Sequence, residues 1–192
     1  MDRREFFKRG GQKAAQIAGQ LSRAAAATRA ERWIRPPFAV AELDFLLGCT
    51  RCDACIEACP HDVLFKLPEK MGRHAAGTPA MDLPAHGCHM CDGWPCAAAC
   101  EADVLQNPDP ADPPEPVKLA TLRIDEGSCL PYSGPECGAC ASACPVPGAL
   151  AWEDGVRPVI EQASCTGCAL CREACITEPK AIRVFALDSR ND

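Results

Sequence analysis

Residues 49–60 read CTRCDACIEACP, which places Cys49, Cys52, Cys55 and Cys59 in the spacing C-x2-C-x2-C-x3-C with Pro60 directly behind. Every other cysteine belongs to a similar group. Cys88, Cys91, Cys96 and Cys100 form the second, Cys129, Cys137, Cys140 and Cys144 the third, and Cys165, Cys168, Cys171 and Cys175 the fourth. Sixteen cysteines therefore fall into four sets of four with none left over.

A cubane 4Fe-4S cluster offers its iron corners to thiolates that converge from one tight loop, and cysteines two residues apart meet that demand. The fourth cysteine, three residues on, sits where the chain turns into a helix leading away. In two-cluster proteins it ligates the neighbouring cluster instead. All sixteen cysteines are thus expected to be iron ligands of four 4Fe-4S clusters. Disulfide scaffolds are usually much shorter and lack repeated C-x2-C triplets. Structural zinc normally uses two C-x2-C pairs separated by a longer finger, so it also fits poorly. Proline after the fourth cysteine, at Pro60 and Pro145, fixes the backbone and removes a donor. Glu101 and Ile176 take that place in groups two and four.

The 192 residues include one Tyr, three Trp and six Phe, few for a large apolar core. The clusters are expected to act as the core, which makes folding depend on their insertion. The net charge is −6 and no basic run is long enough to track a phosphate backbone, so nucleic acid is not an expected partner. An acidic surface suits docking to a basic patch on a redox protein.

Residues 1–30 hold no cysteine. Their opening, DRREFFK at 2–8, resembles a twin-arginine export signal, but Gln12, Lys13, Gln16, Gln20 and Arg23 interrupt the apolar stretch such a signal needs. Ala14, Ile17, Ala18 and Leu21 recur at three- and four-residue steps, the pattern of an amphipathic helix. This helix, or a vestigial export signal, is expected to dock on a partner through Arg3, Arg4, Lys8, Arg9, Ile17 and Leu21, and the chain to stay cytoplasmic. Periplasmic delivery by twin-arginine export is the alternative. No window approaches the roughly twenty apolar residues that span a bilayer, so membrane contact is expected only through a partner.

Pro36 and Pro37 predict an extended lead over 31–47, with Trp33 and Phe38 as packing anchors. Asp62–Phe65 reads as a short strand, and 66–87 as a loop. Group two has four residues between Cys91 and Cys96, where DGWP makes a turn. His89 is expected to be a solvent-facing loop residue, and His61, His74 and His86 have no partner pattern. Residues 106–117, QNPDPADPPEPV, predict a semi-rigid connector. Strands are expected over 118–125 and 181–187. Nothing matches a phosphate-binding loop, a dinucleotide turn or a nucleophile with its base, so no enzymatic chemistry is expected.

From Arg35 onward the chain resembles the NapF/NapG/MauM group of ferredoxin-type proteins, the accessory ferredoxins of periplasmic nitrate reductase and methylamine utilisation. RPPF at 35–38, CTRCDACIEAC at 49–59 and CLPYSGPECGAC at 129–140 look like the NapF type. CHMCDGWPCAAAC at 88–100 and CTGCALCREACITEPKAIRV at 165–184 look like NapG and MauM. The resemblance implies an electron carrier to, or a maturation assistant of, a molybdoenzyme, with that enzyme's catalytic subunit as the redox partner. A fixed relay subunit of a membrane quinol dehydrogenase or molybdopterin oxidoreductase complex is the alternative, and a stand-alone ferredoxin serving several enzymes a third. The wider similarity to four-cluster oxidoreductase subunits implies an α+β fold of two nested dicluster modules. The outer would take 48–66 and 158–192, and the inner 84–157. Cys175 would then join Cys49, Cys52 and Cys55; Cys59 would join Cys165, Cys168 and Cys171. Cys144 would join Cys88, Cys91 and Cys96, and Cys100 would join Cys129, Cys137 and Cys140. Sequential pairing, one with two and three with four, stays open.

Overall fold

The computed structural model describes residues 33–109 and 117–187. The expected helix or signal at 1–30 and most of the connector at 106–117 lie outside the described residues. Within them the chain builds short helices and three separate two-stranded antiparallel sheets, an α+β arrangement of ferredoxin type. No described helix is long and apolar enough to cross a membrane.

The lead into the first cysteine group is extended only in part. Helix α1, Glu42–Gly48, occupies its second half, which corrects the expectation of an extended segment to residue 47. Pro36 and Pro37 block helix only around themselves, whereas ELDFLLG lies beyond their reach and has good helix formers. Glu42 and Asp44 stand in its first turn, where the helix dipole favours negative charge. The α1 residue Phe45 is fully buried, and Arg35 lies 4.7 Å over its ring. Arg35 donates to both carboxylate oxygens of Glu42 at 2.9 and 2.6 Å, to Thr78 Oγ1 at 2.9 Å and to the Pro79 carbonyl at 2.7 Å. One guanidinium thus ties the lead to α1 and to the hairpin beyond the first cysteine group.

Helix α2, Ala54–Glu57, carries Cys55 and is followed by β1, Leu64–Lys66, the expected short strand. The predicted loop at 66–87 holds β2, Pro79–Met81, which pairs with β1 in the register Leu64↔Met81 and Lys66↔Pro79. That is a second correction. PAM has no alternating pattern to announce a strand, and all three of its residues are buried against neighbours distant in sequence. Helix α3, Pro95–Ala98, carries Cys96. After it, Leu105 forms a bridge back to Ala39 in the lead, so both flanks of groups one and two meet.

The second half repeats this plan. Strand β3, Thr121–Ile124, precedes group three and pairs with β6, Ile182–Phe185, which follows group four. Between them α4, Leu130–Ser133, sits inside group three, β4, Leu150–Glu153, pairs with β5, Arg157–Ile160, and α5, Leu170–Glu173, carries Cys171. Asp154 and Gly155 turn the β4–β5 hairpin with φ of 51° and 74°, the left-handed pair of a tight hairpin. Each half therefore has an outer pairing that joins its ends and an inner hairpin between its two cysteine groups.

This topology corrects the nested modules. Nesting needs the flanks of group one to meet those of group four, but the lead to group one bridges the exit from group two, and β3 pairs with β6. Groups one and two share one half, and groups three and four the other, in place of modules built from 48–66 with 158–192 and from 84–157. The main apolar cluster runs through both halves and includes Phe45, Leu64, Leu83, Leu105, Leu122 and Ile182, with cysteines such as Cys55, Cys165 and Cys171 packed into it. Trp33 meets Phe65 edge-on at 6.5 Å and Phe38 meets Trp94 at 4.8 Å, so both expected anchors are packing residues.

Candidate metal centres

The ligand loops share an unusual backbone. Between the first and third cysteines of group one, Arg51 and Asp53 take positive φ; in group two Met90 and Trp94 do, and in group four Gly167 and Ala169. Each such residue costs on the order of 1–3 kcal/mol when it is not glycine, and persists only where its surroundings hold it. These left-handed residues, two each in groups one and four and three in group two where Gly93 joins Met90 and Trp94, curl the chain so that successive thiols turn inward rather than alternate. The last of each set opens the short helix that carries the third cysteine.

Those helices bring thiols of two groups together. One pocket is lined by Cys49, Cys52, Cys55 and Cys100, with Phe45, Val104 and Leu105 among its apolar walls. A second is lined by Cys59, Cys88, Cys91 and Cys96, with Val63, Met81 and Trp94. We call these sites one and two. In the other half Cys129 has Cys137 and Cys175 as neighbouring thiols, and Cys140 has Cys129, Cys175 and Cys137, which defines site three. Cys171 has Cys168, Cys165, Cys140 and Cys144 around it, and Cys168 has Cys144 and Cys165, which defines site four. In every site the fourth cysteine comes from the other group of the same half. The expected fourth partners are corrected accordingly: Cys100 joins group one, Cys59 group two, Cys175 group three and Cys144 group four.

The electrostatics of these sites demand a positively charged occupant. Burial pushes the Cys55 thiol up to about 12, and the nearby thiols of Cys49, Cys100 and Cys52 push it the same way. Burial likewise raises Cys88 to about 12, Cys96 to about 11 and Cys171 to about 12. Four thiolates cannot share such a pocket unless iron or another cation neutralises them. At the surface the direction reverses. The exposed Cys52 is held below its ordinary value, chiefly by the amide of Ala54 and then by the Thr50 hydroxyl. Burial opposes the Cys175 thiolate, but the hydroxyl and amide of Thr177, the amide of Ala181 and the charge of Lys180 outweigh it.

A zinc tetrahedron places its sulfurs roughly 4 Å apart. Among the described residues no three His, Cys, Asp or Glu side chains gather closely enough to hold one metal ion. Four thiols ringed around an apolar-walled pocket suit a cubane, the donor chemistry being all sulfur.

The structure finds partners that spacing did not reveal. His89 is exposed, as expected of its loop, yet its ring stacks on His61 at 3.6 Å and 10°, and both line the pocket of site two. Lys180 donates to the carbonyls of Glu173, at 3.2 Å, and of Cys175, so it closes the loop after α5 beside site three. No sequence pattern marks either feature. The Asp154-Gly155 dipeptide, by contrast, was a readable hairpin signal.

Comparison with known proteins agrees with this chemistry. The chain is 38% identical over 165 residues to the methylamine utilization ferredoxin-type protein MauM of Paracoccus denitrificans, covering 82% of this chain and 73% of that protein. It is 34% identical over 168 residues to the ferredoxin-type protein NapG of Escherichia coli K12, at 80% and 71% coverage. The ferredoxin-type protein NapF of the same organism matches at 32% over 152 residues, at 77% and 82% coverage. No family model and no solved structure matches the chain.

Proposed function

Because the chain belongs to the family of ferredoxin-type proteins that includes MauM, NapG and NapF, we propose that it holds four 4Fe-4S clusters on its sixteen cysteines and serves in electron transfer to, or maturation of, a molybdoenzyme such as periplasmic nitrate reductase. The observation that carries the reading is the exchange of fourth cysteines within each half, which yields four complete thiol sets. A bound 4Fe-4S cluster supplies a one-electron couple. The chain's own residues do the rest. The left-handed loops aim the thiols, and Phe45, Val104, Val63 and Trp94 wall the first two pockets against water. The role proposed is that of an electron carrier, supported by the ferredoxin-type names of its relatives.

Anaerobic reconstitution followed by iron and sulfide analysis tests the cofactor content. Four cubanes require about sixteen irons per chain, and saturation near eight would refute the count. The molybdoenzyme assignment rests on the family resemblance, and pull-down with a molybdoenzyme catalytic subunit tests it. The reading of a fixed relay subunit predicts instead that the protein purifies only within a membrane-associated complex. Residues 1–30 are proposed to remain attached and to dock on the partner, with the protein in the cytoplasm. Deleting 2–27 should then leave the iron content unchanged and weaken capture, whereas a periplasmic chain lacking 1–27 would reverse this assignment.

A further inference from the structure

Resting on the cluster reading above, we infer that the four sites stand in single file in the order one, two, four, three, so that sites one and three are the two ends. The junction between the halves carries this order. The Cys88 amide, from site two, donates to the Cys168 carbonyl, from site four, at 2.7 Å, and the two thiols are close enough to influence one another. Around that bond the Gly87 amide donates to Glu173 Oε2 at 2.8 Å, and Arg172 Nε to the Pro84 carbonyl at 2.8 Å. Gly87 is buried against α5 so closely that an added Cβ would lie 2.7 Å from the Leu170 side chain and 2.8 Å from its Cα. Sites one and two are linked within their half by α2 and α3: Cys55 on α2 lines site one and Cys59, just past its end, site two, while Cys96 on α3 lines site two and Cys100, just past its end, site one. Sites four and three are linked through Cys171 and Cys140, neighbouring thiols of different sites.

The surface agrees with sites one and three as ends. Cys52 of site one is the one exposed cysteine. Exposed apolar residues also stand at the ends. Leu47, 76% exposed, lies just before Cys49, and Ile176, 69% exposed, directly follows Cys175. Cys137 of site three opens on a depression lined by Trp152 and Val156. A reduced redox protein that docks at one end gives up one electron, and an oxidised redox protein at the other takes one, with no bond made or broken in this chain.

Electron paramagnetic resonance of the reduced holoprotein tests the order through magnetic coupling between sites. With sites one and three emptied by Cys52→Ala, Cys55→Ala, Cys137→Ala and Cys140→Ala, the remaining pair should couple strongly. With sites two and four emptied by Cys91→Ala, Cys96→Ala, Cys168→Ala and Cys171→Ala, the coupling should be lost. Stronger coupling in the second variant than in the first overturns the order. Gly87→Val in the otherwise intact chain is the independent check, since it wedges α5, which carries Cys171, off the segment that enters group two. It should leave the coupling between sites one and two intact and weaken the coupling between halves; a coupling between halves equal to that of the unaltered chain overturns the junction. An unaltered chain that takes up no iron would instead overturn the cluster reading, and this order with it.

Discussion

Cys100, from the second cysteine group, stands beside Cys55 of the first in a shared pocket, where burial first and then the thiols of Cys49 and Cys100 raise the resistance of Cys55 to ionisation. Substituting Cys100 should therefore disturb the cluster of the first triplet. In Cys100→Ser the spectroscopic signature of site one is expected to shift while that of site two persists. Cys175→Ser should shift site three alone. If Cys175→Ser altered the signal of Cys49, Cys52 and Cys55 instead, the exchange within halves would be wrong.

Arg35 is the strongest single tie between the lead, α1 and β2. Its side chain is 9% exposed and satisfies Glu42, Thr78 and Pro79 at once. Arg35→Ala leaves the Glu42 carboxylate and the Thr78 hydroxyl short of a partner and uncovers Phe45. A loss of about 2–3 kcal/mol is expected, measurable as a lower denaturation midpoint of the holoprotein.

Gly167 lies between Cys165 and Cys168 with φ of 75°, and a Cβ there would stand 2.1 Å from the Ala120 carbonyl oxygen. Neither the angle nor the space admits a side chain. Gly167→Ala should cost roughly 3 kcal/mol or more, because the loop of site four must pull off the segment entering β3. Iron analysis should show the loss of site four before the others.

Lys180 places a positive charge next to Cys175. Reduction adds negative charge to a cluster, so a nearby cation favours the reduced form. Lys180→Met is expected to lower the midpoint potential of site three by some tens of millivolts, read in a redox titration followed by electron paramagnetic resonance, with the other three sites unmoved.

Cluster uptake should depend on pH with a definite sign. The Cys55, Cys88 and Cys171 thiols are raised to about 12 from an ordinary value of 9.0 by burial in the folded chain. For such a group the stabilisation is complete below 9.0 and is lost as pH rises through 12, so the protonated thiols resist iron most at low pH. Iron uptake at fixed reagent concentrations is expected to keep rising above pH 9.0 toward 12, and loading is expected to release protons to a weakly buffered medium. Uptake independent of pH would contradict the buried-thiol account.

The sequence by itself pointed to iron–sulfur chemistry. C-x2-C-x2-C-x3-C at 49–59 and its three relatives gather every cysteine into groups of four, a pattern legible because convergence of thiols is a local property of loop length. Strands β3 and β6 were legible for the same local reason, their apolar and polar residues suiting a short strand. What the tertiary structure decided was which group completes which site. Cys59, Cys100, Cys144 and Cys175 follow their triplets at the same C-x3-C distance, so spacing is blind to the partner each will reach. The choice is made by the bridge Ala39↔Leu105 and the ladder of β3 with β6, pairings between segments far apart in the chain. Strand β2 and helix α1 were missed on the same physical ground. Pro79–Met81 is a strand only because β1 lies beside it, and Glu42–Gly48 is a helix only because Phe45 has a buried place to go and Arg35 closes over it.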